Sequence, residues 1–402
     1  MVIGLTDSRN GRYFLFGLLY FVQGTLLAYV LVFNNLYLRQ AGGAAWQLSL
    51  LNGLLAIPFI LKIGIGVMSD KMPLRLPFLG HGYRLPYINL GLFLVAVGSV
   101  LTSFIPPVEM FALFLSMAMV IALGLSVYDT VADGLAIDVT PSEEQGMIQG
   151  IMVMGRALGF VALAAVYGRL ILWVDWAVVF WLIALLSLLP WPWLRHLQEP
   201  AQRPLTQQFH WDAVRKLWQP EMRRFFLYAL VYSICVYGAN AIITLFANEG
   251  LGGTLVDVGN VAALGGVGMM IGGLLGTWLN RWAAIWWQGM MTTTAVSATL
   301  LIIAGLSNLH NIALMTLGWG ISLAMAELVF VTLSMQKSDP RMGAGQFAIF
   351  MAVSNVGTGL GQSLSTGLID TLDFSWIFAI LAIVNLLSIP LFQLMRQDAH
   401  PR

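Results

Sequence analysis

The sequence predicts an all-α, polytopic membrane protein with twelve transmembrane helices in two six-helix halves. Composition is the first reason: 58% of the 402 residues are hydrophobic and only 10% are charged, where soluble domains average about 25% charged. The mean hydropathy is +0.80. Second, the apolar residues come in continuous runs long enough to cross a bilayer. Only helices and closed barrels satisfy their backbone in lipid, and a barrel would need alternating patterning. Third, the cations are partitioned between the two sides of those runs.

Twelve apolar runs follow in order: 13–37, 46–68, 85–106, 109–136, 147–172, 174–194, 224–247, 256–279, 284–306, 309–335, 343–369 and 373–395. The first follows a polar stretch of twelve residues, MVIGLTDSRNGR, and ends in no small-residue cleavage site, so it reads as a retained span rather than a signal peptide. The fifth and sixth are separated by an interfacial turn around Val174 and Asp175, flanked by Trp173 and Trp176. With the N-terminus inside, sixteen Lys and Arg residues fall in cytoplasmic segments. Only Arg39 and Arg169 fall outside, and Lys62 and Arg156 lie within spans. This asymmetry places both termini in the cytoplasm of a cell whose inner membrane holds the chain.

The domain division follows: an N-terminal half over 1–194, a cytoplasmic linker over 195–223 and a C-terminal half over 224–402. In the linker, HWDAVRKLWQ puts Trp211, Val214, Leu217 and Trp218 on one helical face, a pattern for a short interfacial helix. The halves echo each other. The second span ends in GVMSDK, with Gly66, Asp70 and Lys71, and the eighth in GTWLNR, with Gly276, Asn280 and Arg281. An echo at equivalent places, with six spans on each side, predicts a parallel internal repeat.

The twelve-span layout and the motif Gly66-Val67-Met68-Ser69-Asp70-Lys71 resemble the major facilitator superfamily. PFILKIGIGVMSDKMP (58–73), GYRLPYI (82–88), DTVAD in the fourth span and TPSEEQG (140–146) are similar to the branch holding folate–biopterin transporters and muropeptide permeases. GYRLPYI also resembles the PucC proteins of bacteriochlorophyll assembly, and Leu85 stands where that stretch typically carries a second Arg. The resemblance implies a proton-linked carrier of the major facilitator fold, with spans 1, 4, 7 and 10 lining a central cavity and access alternating between the two sides. It also implies an alternative, a membrane assembly or pigment-handling factor without coupled transport.

Five ionisable residues lie inside spans: Lys62, Asp129, Asp133, Arg156 and Glu327. Such groups are costly in hydrocarbon and face protein or water. At about 1.5 Å per residue, Asp129 lies roughly 13 Å from the inner end of its span, Asp133 roughly 7 Å, Arg156 about 15 Å, Lys62 about 10 Å and Glu327 about 13 Å. Asp129, Arg156 and Glu327 therefore share a level near the midplane, and Asp133 and Lys62 a shallower one. Asp129 and Asp133 are four apart, on one helical face. Two carboxylates there repel, so at least one holds a proton unless a cation sits beside it. That suits proton coupling by Asp129, Asp133 and Glu327. Arg156 cannot release its proton and suits a counter-charge or an anion clamp.

Structural roles compete with these. Asp133 with Lys62 is also a plain ion pair tying two spans together, as is Asp129 with Arg156, which would cancel the anion site. Glu327 is equally a lone acid bonded to a hydroxyl or to backbone. Asp70, Lys71, Arg84, Asp138 and Glu144 lie at the inner ends and form a candidate latch, with Asn280 and Arg281 as the echo in the other half. Gln23, Asn34, Tyr128, Tyr232 and Asn240 are polar residues in cavity-lining spans. Gly268, Gly272, Gly276, Gly357 and Gly361 have the four-residue spacing of close helix packing, either within a half or where the halves meet.

The net charge of +1 implies no nucleic-acid partner. Cys235 is alone, the five histidines are scattered, and no phosphate loop or nucleophile motif occurs. An enzyme, a metal and a cofactor are therefore not expected. The expected partners are a small, anionic organic solute, protons and the bilayer, with the monomer as the working unit and symport as the mode.

Overall fold

The computed structural model describes residues 6, 8–76, 79–194, 197, 219–338 and 343–399. Eleven of its helices are long and apolar enough to cross a membrane. They are α1 (Arg9–Gln40), α2 (Ala45–Lys71), α3 (Leu85–Thr102), α4 (Phe111–Val139), α5 (Gln145–Trp173), α6 (Trp176–Leu194), α7 (Pro220–Gly250), α8 (Leu255–Leu279), α9 (Ile285–Leu306), α10 (Ile312–Lys337) and α12 (Phe374–Arg396). Between the last two lies α11 (Gly343–Gly367), whose run of Gly, Ser, Thr, Asn and Gln makes it the least greasy of the series. Each of the twelve expected spans is thus a helix, and the eleventh is distinguished by polarity. The interfacial helix expected over 211–218 lies outside the described residues, as do Arg195, Arg203, Arg341 and Arg402.

Local chemistry sets the helix ends. Ser8 caps α1 by accepting from the Gly11 amide, and Thr254 with Asp257 forms a reciprocal capping box at α8. Pro86 and Pro220 sit in the first turns of α3 and α7, where a missing amide costs nothing. Between α2 and α3 a small hairpin forms, β1 (Leu74–Leu76) against antiparallel β2 (Gly80–Gly82), with Leu74 opposite Gly82.

The contacts divide the chain into two compact units. The first holds residues 1–43 and 61–205, the second 44–60 and 206–402. The boundary in α2 falls at a break in the helix: Pro58 lies inside it, and Leu61 separates Ala45–Ile60 from Lys62–Lys71. The outer segment of the second span therefore groups with the C-terminal helices, where the sequence division keeps it in the N-terminal half.

Within the first unit α1 packs on α5, α3 on α4 and α6, and the inner segment of α2 on α4. Within the second unit α7 packs on α11, α9 on α10 and α12, and α8 on α10. Adding six to each helix number converts one list into the other, the pattern expected of an internal repeat. Glycines carry the closest approaches. A Cβ at Gly159 would meet the Phe21 backbone between α5 and α1, and one at Gly361 the Ile234 backbone between α11 and α7. Gly268 and Gly272 meet α10 in the same way, and Gly357 meets α7. These stripes serve packing inside one unit, which settles the alternative left open by their spacing.

Candidate functional site

The polar cluster of the first unit is built on α4. Its stretch SVYDTVADG continues a 29-residue helix, so Asp129 and Asp133 project from one face a turn apart. Asp129 is 7% exposed. It pairs with the ammonium of Lys62 from α2 and accepts from the side-chain amide of Gln23 on α1. Asp133 accepts from the phenol of Tyr20, also on α1. The hydroxyl of Tyr128 donates to the Leu19 carbonyl, fixing α4 against α1. Arg156 projects from α5, is exposed, and lies within electrostatic reach of Asp133 and Tyr20.

The sequence left two ion pairs open as structural alternatives, and the structure draws a different pairing. Lys62 meets Asp129 rather than Asp133, and Arg156 makes no ion pair with Asp129. The reason lies one layer further in, at Arg84. This residue precedes α3, is 7% exposed, and donates to both Asp70 of α2 at 2.7 Å and Asp138 of α4 at 2.8 Å. It also donates to the Ser69 hydroxyl at 2.8 Å. One guanidinium therefore holds Asp70 and Asp138 at the same level. Lys62 is eight residues from the first and Asp129 nine from the second, which is about 12 Å and about 13 Å of helix rise. The two side chains meet because the helices are in register at Arg84. Gly134 completes the fit, since a Cβ there would strike the guanidinium.

Of the other inner-end candidates, Glu144 pairs with Arg12 at 2.7 Å, and Arg12 also donates to the Thr6 carbonyl. Lys71 is exposed at the end of α2. Asn280 and Arg281 are exposed, and neither side chain makes a hydrogen bond or ion pair among the described residues. Only five residues separate α8 from Ile285, against the long hairpin loop that delivers Arg84 in the first unit. The inner end of the second unit instead joins Lys337 of α10 to Glu221 of α7, with the ammonium 6.0 Å from the Phe225 ring and 5.9 Å from the Trp286 ring.

In the second unit Tyr232 is buried and stacked on Tyr228 and Phe330, and Glu327 is half-buried within its electrostatic reach. Asn240 accepts from the Trp319 indole at 3.5 Å. Asn34 is buried and accepts from Tyr29 at 2.9 Å across a π-helical stretch of α1, Tyr29–Phe33, away from the acid pair. Tyr20 and Arg12 belong to these networks without having been singled out in the sequence, and Ser69 was named only within the Gly66–Lys71 motif. Tyr20 was findable in principle, three residues before Gln23 on the same helix face.

Comparison with known proteins agrees with this architecture. The family described as Major Facilitator Superfamily matches residues 11–348. The anhydromuropeptide permease of Escherichia coli (strain K12) is 26% identical over 291 residues, covering 66% of this chain, and the same permease of Escherichia coli O157:H7 matches equally. The match spans 56% of the permease, little more than half its length. Among solved structures, a bacterial homolog of the human lysosomal transporter Spinster, inward-facing and occupied, aligns over 96% of both chains with a TM-score of 0.70 at 17% identity. The nucleoside transporter NupG aligns over 96% of this chain and 99% of its own, with a TM-score of 0.74 at 12% identity. These two show the fold. All of these relatives are named as transporters or permeases, none as an enzyme. A twelve-helix layout, its two-unit repeat and a family match over most of the sequence converge: the chain belongs to the Major Facilitator Superfamily.

Proposed function

We propose that the chain is a secondary transporter that carries a small, anionic organic solute across the inner membrane by alternating access, coupled to protons as a symporter. The observation that carries this reading is the acid pair Asp129–Asp133 on α4, set at membrane depth against Lys62, Gln23 and Tyr20. Charged side chains are kept there only where function or pairing supports them. A carboxylate pair with one cation partner has a state with a proton and a state without one. Different affinities of the two access states for that proton let a gradient drive transport.

The likeness to the anhydromuropeptide permease supports a solute with sugar, amide and carboxylate groups. The charge asymmetry of the loops supports cytoplasmic termini. Arg84 with Asp70 and Asp138 is read as a latch at the inner end, and Glu327 as a second ionisable site in the other half. The monomer is the proposed working unit.

The test is uptake of an anhydromuropeptide into proteoliposomes under an imposed pH gradient. Wild-type protein accumulates it and Asp129→Asn does not, while eluting as the same monodisperse species. Gradient-driven uptake by Asp129→Asn at the wild-type rate would overturn the reading.

A further inference from the structure

Arg156 is the cation of this cluster that makes no ion pair among the described residues. It lies eleven residues into α5, about 16 Å along the helix. Its guanidinium is exposed and makes no hydrogen bond or ion pair among the described residues. An arginine at membrane depth calls for a counter-charge, and it cannot discharge itself by losing a proton.

Asp129 does not supply that counter-charge, because Lys62 and the Gln23 amide already answer it. Asp133 has a neutral donor, Tyr20, as its hydrogen-bond partner. The groups facing Asp133 are Tyr20 from α1, Lys62 from α2, Asp129 on its own helix and Arg156 from α5. From the α3 side, Arg84 is engaged by Asp70 and Asp138, and the Tyr87 hydroxyl donates to the Met72 carbonyl at 2.9 Å. With both acids ionised, two cations face two anions. One proton on Asp133 leaves Arg156 as a single uncompensated positive charge.

Resting on the transport reading above, we infer that Arg156 binds a carboxylate of the solute, and that Asp133, rather than Asp129, is the acid whose proton admits it. The proton enters and leaves as the O–H of Asp133, and no other bond forms or breaks. The Asp129–Lys62 pair is the fixed part of the site. Gln23 adds specificity. It is 3% exposed, and its carbonyl oxygen has no hydrogen-bond donor. Gly24, next in the chain, packs against the backbone of Arg156. An N–H or O–H of the same solute, close to its carboxylate, satisfies that oxygen. The ligand class is therefore an amide-bearing or hydroxyl-bearing carboxylate.

The test measures binding to purified protein in detergent, with an anhydromuropeptide and its fully methyl-esterified form as probes, at about pH 5.5 and about pH 8, where the probe carboxylates stay ionised. Wild-type protein binds the acid about tenfold more tightly at the lower pH, the scale of one charged contact. It binds the ester weakly at both. Asp133→Asn, which keeps the shape and a bond to Tyr20, binds the acid tightly at both pH values. Arg156→Gln, at an exposed position, binds acid and ester alike. A wild-type pH response in Asp133→Asn, a retained acid preference in Arg156→Gln, or no binding of the acid by wild-type protein overturns the inference. Uptake is scored separately. Binding that follows the pattern without accumulation in proteoliposomes overturns the transport reading and leaves the site intact.

Discussion

Lys62 and Asp129, 67 residues apart in the chain, form an ion pair that joins the inner segment of α2 to the middle of α4. The pair depends on a second contact about two and a half helical turns further along both helices, where Arg84 levels Asp70 with Asp138. Register at one level and chemistry at the other are thus linked.

Breaking the pair from one side should cost more than removing it. Lys62→Met leaves a buried carboxylate facing Asp133 and should destabilise the protein by roughly 1–3 kcal/mol, below the about 3–5 kcal/mol of a fully buried pair because the lysine side chain is 32% exposed. The double variant Lys62→Met with Asp129→Leu should recover most of that loss. Thermal inactivation in detergent decides it, and equal losses in single and double variants would contradict the pairing.

Arg84 should not tolerate lysine. A single ammonium cannot reach Asp70, Asp138 and Ser69 in the fork that a guanidinium provides. Arg84→Lys should lose at least about 2 kcal/mol of stability, with uptake falling in parallel. Arg75→Lys, exposed on the hairpin, should change neither.

Close helix approach predicts a pair of opposite outcomes on α5. Gly159→Val drives a branched side chain into the Phe21 backbone and should abolish recovery of folded protein. Gly150→Ala enters open space and should be neutral or stabilising by up to about 1 kcal/mol, the helix propensity difference. Yield of monodisperse protein separates the two.

The break in α2 has its own support. Asn355 of α11 donates to the Phe59 carbonyl at 3.0 Å, two residues before the helix is interrupted at Leu61. Ser49 meets Ser363 at 2.9 Å, and the Ala45 amide donates to Asp370 at 2.8 Å along the same seam. Asn355→Ala should cost about 1 kcal/mol by removing that hydrogen bond, measured as a lowered midpoint of thermal inactivation. Asn355→Asp, an acceptor in its place, should be worse.

Much of this architecture was legible before any coordinates. Twelve continuous apolar runs fix twelve helices, because lipid leaves the backbone no other partner than itself. The echo of GVMSDK in GTWLNR announced the repeat that the two lists of helix contacts display. The acids on α4 were visible because a carboxylate in an apolar run is conspicuous. Tyr20 was not, because a tyrosine in a span looks like packing until its hydroxyl has a partner.

The sequence by itself therefore determined which residues lie in the membrane, which are charged there, and on which helical face Asp129 and Asp133 stand, since spacing along one helix follows from local geometry. Only the tertiary structure decided who pairs with whom. Partners on different helices depend on relative axial shift, and a shift of one turn exchanges Asp129 for Asp133. That shift is set by contacts such as Arg84 between Asp70 and Asp138, and by glycines that let α1 and α5 close together. The same logic moved Ala45–Ile60 to the second unit: hydropathy saw one continuous span, whereas Pro58 and the interruption at Leu61 set off an outer segment that packs on α11.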